Sequence, residues 1–256
     1  MEIVSYCIDV GTVEVGRDGG VAGKSFAWGR VDSEVPENQG PLNVRFSRLA
    51  ALQEALRDDI ANHRRVALGV EAPMWTPLVR TFDRGTLFRW RFDAEKKHEW
   101  YLQAGASAAV RATQLAFLAL EPLVRPTGRL RMLTRFRELE STEPNADSPS
   151  LLVWEAFVAG DFKPAHEYGG PLGGNENRID AHCAAREFAE LAKRGDLDEI
   201  GESNDGPVLA RPQDNATLDQ EGAVSTWSLV ADLLRIERPA TSRCYVVGRK
   251  YRNVAG

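Results

Sequence analysis

The run VALGVEAP at residues 66 to 73 constrains the fold more than any other stretch of the chain. Val66, Ala67, Leu68 and Val70 belong in a buried sheet, and near-continuous apolar runs of this kind are typical of parallel strands covered on both faces. Pro73 has no N–H to give to a sheet ladder and pushes the residue before it into extended geometry, so the strand must stop here. Glu71 is thereby delivered to the carboxyl-terminal lip of a central strand, although glutamate is disfavoured in strands. An ionisable group at that place needs a reason.

The rest of the chain supplies partners for this strand. Residues 3 to 10 form a short β-rich run that ends at Asp9 and Gly11, and SFAWGRVD (residues 25 to 32) reads as a second strand after the turn signal GRDGGVAG. Phe46, Leu49, Leu52, Leu56 and Ile60 recur at helical spacing and predict a crossover helix from Phe46 to about Asn62. Strand, hairpin, helix, strand is the order of a parallel pair joined right-handedly through a helix. An alanine-rich helix is expected from Ala104 to Leu120. LLVWEAFV (residues 151 to 158) is a further core strand, with Glu155 inside it. A glycine-rich loop then leads to a helix starting near Asp180. Another helix covers about Val224 to Leu234, and RCYVVGRKY closes the chain as a strand.

The sequence has 256 residues, enough for one sizeable core. Its net charge of −5 rules out a globally basic protein, so any nucleic-acid contact must come from a local patch. Cys7, Cys183 and Cys244 are widely spaced among apolar residues and form no CxxC pair, which fits buried thiols in a reducing compartment. With no signal-peptide pattern and no apolar run of membrane-spanning length, a cytoplasmic location without membrane association is expected.

Asp9, Glu71 and Glu155 lie in or at the ends of central strands, and Asp180 opens the helix after the last of them. In an open α/β sheet, ligands bind at the carboxyl ends of the parallel strands. Carboxylates converging there repel one another unless a cation neutralises them. Mg²⁺ or Mn²⁺ takes hard oxygen ligands, and two such ions about 3.5–4 Å apart clamp an in-line phosphodiester displacement. Each acid also has an ordinary explanation: Asp180 as a helix N-cap, Asp9 as a strand-end turn residue, Glu155 as the partner of an arginine.

Taken in order, YCIDVGT, GVEAP and RIDAHCAA resemble the three acidic motifs of the ribonuclease-H-like nuclease superfamily, and most closely an uncharacterised family described as predicted nucleases with an RNase H fold. The resemblance runs from Ile3 to about Leu191. It implies an α/β, RNase-H-like mixed central sheet flanked by helices, formed by a single domain over residues 1–256 with an inserted helical and loop segment at 76–147. It further implies a Mg²⁺- or Mn²⁺-dependent nuclease with a two-ion site. Asp9, Glu71 and Asp180 carry over as catalytic metal ligands, Glu155 as a fourth ligand, and His182 and Glu187 as auxiliaries. A water would serve as nucleophile in place of a side chain. IDVGT also resembles the opening motif of sugar kinases and actin-like ATPases, but YGGPLGG is a poor match to the second phosphate strand that those proteins need.

The remaining signal is basic. Arg80, Arg84, Arg89 and Arg91 interleave with Phe82, Phe88, Trp90, Phe92 and Trp100, and Arg125, Arg129, Arg131, Arg135 and Arg137 follow. Cations attract phosphates and aromatic faces stack on unpaired bases. Arg89, Trp90, Arg91, Arg131 and Arg135 are the candidate nucleic-acid contacts, with DNA and RNA both open. The same surface would serve equally to dock a partner protein in a non-catalytic subunit. The four histidines form no metal-binding pattern, and no G-x-S-x-G elbow is present.

Overall fold

The computed structural model describes residues 2–10, 27–33, 49–77, 104–126, 128–156, 176–194, 207–210, 223–239 and 244–249. Strand β1 (Val4–Asp9) pairs antiparallel with β2 (Ala27–Asp32) on one edge and parallel with β3 (Val66–Glu71) on the other. Helix α1 (Leu49–Ala61) makes the crossover between β1 and β3, as the spacing of Leu49, Leu52, Leu56 and Ile60 requires. Phe46 falls outside the described residues. Next to β3 lies β6 (Ser150–Ala156), again parallel.

The far edge of β6 is shared. Its first half pairs with β5 (Arg131–Leu133) and its second half with β9 (Tyr245–Arg249), both parallel. Antiparallel β7 (Pro207–Ala210) then pairs with β9. The result is a seven-stranded, mostly parallel sheet in the order β2-β1-β3-β6-β9-β7, with β5 beside β6. A separate ribbon joins β4 (Trp75–Pro77) to β8 (Ala223–Ser225).

Strand pleating sorts the core into two layers, because successive side chains point to opposite faces. Tyr6, Ile8, Leu68, Val70, Leu151 and Val153 face one side. There they pack against α1, α2 (Ala104–Val124) and α5 (Thr226–Leu234). Cys7, Ala67, Leu152, Trp154 and Ala156 face the other side, under α3 (Phe136–Ser141) and α4 (Glu176–Arg194). Sheet and helices therefore form the expected α/β arrangement.

The expected insertion at 76–147 is only partly an insertion. Residues 78–103 lie outside the described set, but Ala108, Ala112, Leu115 and Ala119 of α2 belong to the core, and β5 is a strand of the main sheet. The arginines of RLRMLTRFR alternate with the side chains that bury themselves: Leu130 and Met132 point in, while Arg129 and Arg131 are exposed. The segment thus adds one short strand, β5, to the main sheet and one helix, α2, to the core.

On the α1 face a buried polar link ties the edge of the sheet to the crossover helix. Arg30 donates to both carboxyl oxygens of Asp59, at 2.8 and 2.7 Å, and to the Tyr6 hydroxyl at 3.2 Å, while that hydroxyl donates to Asp59. Burial and the neighbouring carboxylate push the Tyr6 phenol far above its usual range, so it remains a donor.

Candidate metal centre

The β1–β3 register sets Asp9 directly beside Glu71 at the carboxyl ends of two parallel strands. Counted by pleat, both side chains are on the α4 face, together with Cys7 and Gly69. Helix α4 crosses that face and contributes Asp180. One oxygen from each of Asp9, Glu71 and Asp180 lies within 4.8 Å of the other two, and all three residues are buried.

Asp180 is not an N-cap. The helix begins at Glu176, so Asp180 stands about one turn inside it, a position that capping does not explain. Its place comes from how closely α4 approaches β2. A Cβ built on Gly29 would lie 2.6 Å from the Cα of His182, 2.7 Å from its backbone nitrogen and 2.8 Å from the carbonyl carbon of Ala181. Only glycine at that position lets the backbone following Asp180 lie against the strand. Further along the helix, Phe188 stacks on Trp154 at a centroid separation of 4.6 Å and 18° between planes. The Trp154 indole in turn spreads over Gly69, whose Cβ would meet the ring at 2.3 Å. The glycine inside AWGRV was a legible sign of close backbone approach that the sequence reading passed over.

The strand end at Glu71 is held as firmly. Ala72 donates its N–H back to the Val70 carbonyl at 2.9 Å, closing a tight turn centred on Glu71. Pro73 has no N–H. Met74 N–H donates to Glu155 Oε2 at 2.9 Å, and the Met74 carbonyl accepts from Thr226 N–H at 2.8 Å. The Ala72 and Met74 N–H groups and the Met74 carbonyl of this buried lip are thereby all satisfied.

Glu155 is thus placed differently from the expected fourth ligand. In the β3–β6 register it stands opposite Val70, not Glu71, so the pleat sends its side chain to the α1/α2 face, away from the acidic cluster. It is fully buried there. His182 and Glu187 are also buried, but neither joins the group of three. Burial lowers the His182 pKa to about 4, which leaves its imidazole neutral near pH 7. Cys7 lies on the same face, two residues before Asp9. Burial, reinforced by Glu71, Asp9 and Asp180, pushes its thiol well above the ordinary range, so it stays protonated and is a poor competing ligand.

The candidate nucleic-acid contacts divide. Arg89, Trp90 and Arg91 lie outside the described residues. Arg131 and Arg135 are exposed. Arg131 pairs with Ser150 at the start of β6, whereas Glu71 is level with its end at Ala156. At about 3.3 Å per residue, Arg131 is roughly 20 Å from the acids along the strands, at the opposite end of the sheet.

The donor set fits a hard divalent cation. It consists of three carboxylates from three separate elements, with no nitrogen or thiolate ligand in the group. Among the described residues, no helix is long and apolar enough to cross a membrane. No family model, curated protein or solved structure matches the chain.

Proposed function

We propose that this protein is a divalent-metal-dependent phosphodiesterase of RNase-H-like architecture that cleaves nucleic acid. One observation carries the reading: residues 9, 71 and 180, far apart in the chain, bring carboxyl oxygens within 4.8 Å of one another in a buried site at the carboxyl end of the sheet. Carboxylates converging in a buried site repel one another, and a bound cation would offset that repulsion. The order of the acids and their elements (first strand, parallel neighbour, late helix) is also the one that the motif resemblance implies.

In this reading Asp9, Glu71 and Asp180 would hold Mg²⁺ or Mn²⁺ through their carboxyl oxygens. When bound, the metal supplies Lewis-acid polarisation of the phosphoryl oxygen and activation of a water. The chain's own part is to fix the ligands. The tight turn at Glu71 and the Gly29 contact with α4 hold the three acids in register. Exposed Arg131 and Arg135 would draw in the phosphate backbone. A duplex lying along the sheet would reach from Arg131 to the acids in about six base pairs.

The test is a Mg²⁺ and Mn²⁺ titration against labelled single-stranded, duplex and branched DNA and RNA. Cleavage that requires metal and disappears in Asp9→Asn, with the circular dichroism spectrum unchanged, supports the reading. Failure to cleave any of these substrates, together with metal-dependent ATP hydrolysis, would replace it with the ATPase alternative.

A further inference from the structure

We propose that Glu155 is a positioning residue for Glu71, acting through the backbone of the lip and not through a metal ion; this role rests on the metal-centre reading above. Three observations support it. Glu155 is fully buried and lies on the sheet face opposite the acidic cluster. Its Oε2 accepts the Met74 N–H at 2.9 Å, three residues beyond Glu71. Between them Pro73 offers no N–H, so the Met74 amide is the first donor after Ala72 that can anchor the outgoing chain.

The geometry explains why an acid is needed there. The turn centred on Glu71 breaks the β3 ladder, and the Met74 amide, itself buried, would otherwise lack an acceptor from the sheet. A side chain from the neighbouring strand fills that gap from below while Thr226 N–H holds the Met74 carbonyl. Residues 70 to 74 are thus clamped at both ends, and the Glu71 carboxylate is aimed at Asp9 and Asp180. Metal sites tolerate about ±0.2 Å in ligand distance, so slack in this lip passes directly into affinity.

A ligand and a backbone acceptor respond differently to amide replacement. Glu155→Gln removes the charge and keeps a carbonyl acceptor, whereas Glu155→Met keeps the approximate volume and removes the acceptor. Mn²⁺ affinity is measured by calorimetry, and exchange of the Met74 amide by NMR on the metal-free protein. We expect Glu155→Gln to bind Mn²⁺ within about threefold of the unaltered protein, with Met74 still protected. Glu155→Met should lose about 10- to 100-fold in affinity, the range for supporting residues, with Met74 exchanging roughly tenfold faster or more.

A loss in Glu155→Gln as large as that in Asp9→Asn would overturn the proposal and make Glu155 a charge-bearing ligand. Faster Met74 exchange in Glu155→Met with unchanged Mn²⁺ affinity would overturn it too, since the bond would then be structural only. If Glu155→Met does not fold, the Gln variant alone still separates ligand from acceptor. Absence of Mn²⁺ binding by the unaltered protein would instead overturn the metal centre itself, and with it the purpose assigned to Glu155.

Discussion

Replacing Gly29 by alanine tests whether the approach of α4 to the sheet sets the acidic site. The added methyl would stand 2.6 Å from the His182 Cα, where ordinary contacts begin at 3.4 Å. The clash is backbone against strand, with no flexible side chain to swing aside. Strand and helix must therefore separate locally by roughly 0.8 Å, at an overpacking cost of about 1–3 kcal/mol. For a chain of this size that lowers the melting temperature by about 2–12 °C. The same displacement carries Asp180, two residues before His182, away from Asp9 and Glu71. It is several times the ligand-distance tolerance of about 0.2 Å, so Mn²⁺ affinity should fall about 10- to 100-fold. Differential scanning calorimetry with and without Mn²⁺, alongside titration calorimetry of the folded variant, separates the two effects. A variant that melts and binds like the unaltered protein would refute the close approach. One that is less stable yet binds Mn²⁺ equally well would refute its link to the site.

Other perturbations reach different parts of the structure. Mn²⁺ at a hundredfold excess over its dissociation constant should stabilise the protein by about 2.7 kcal/mol, seen as a rise in melting temperature that Asp9→Asn abolishes. Asp59→Ala strands the half-buried Arg30 and the buried Tyr6 hydroxyl and should cost about 3–5 kcal/mol in a denaturant titration. Because that cluster lies on the opposite face of the sheet, Mn²⁺ affinity should not change. Replacing Arg131 and Arg135 together by alanine should lower the log–log salt slope of nucleic-acid binding by about two units, measured by fluorescence anisotropy, with metal affinity unaltered.

The central strands were legible because Gly and Pro bound their apolar runs, and α1 because its leucines keep helical spacing. The acids at 9, 71 and 180 could be singled out for the same local reasons. What the chain does not disclose is which face a doubly buried strand presents. All six residues of β3 are buried, as are the last six of β6, so no polar alternation marks one side from the other. Nothing in the sequence therefore separates Glu155 from the other acids, and only the pairing of Val70 with Glu155 sets it on the opposite face. α4 starts earlier than its pattern suggests, because Glu176, Asn177 and Arg178 are as polar as the loop sequence before them. β5 was hidden by its arginines, although Leu130 and Met132 already alternate with Arg129 and Arg131 at strand spacing.

The sheet's connectivity also dictates an order of assembly during synthesis. Asp9 and Glu71 meet once β3 has left the ribosome, but Asp180 follows roughly 170 residues after Asp9. At about 5–20 residues per second the third acid arrives about 10–30 seconds behind the first. Throughout that interval the face of Cys7, Ala67 and later Leu152 and Trp154 has no α4 to cover it. The second half of β6 waits longer still, until β9 emerges. The three-carboxylate cluster therefore comes together only after α4 has docked, late in synthesis, and under the proposed reading capture of a cation would follow the pairing of the central strands and not guide it.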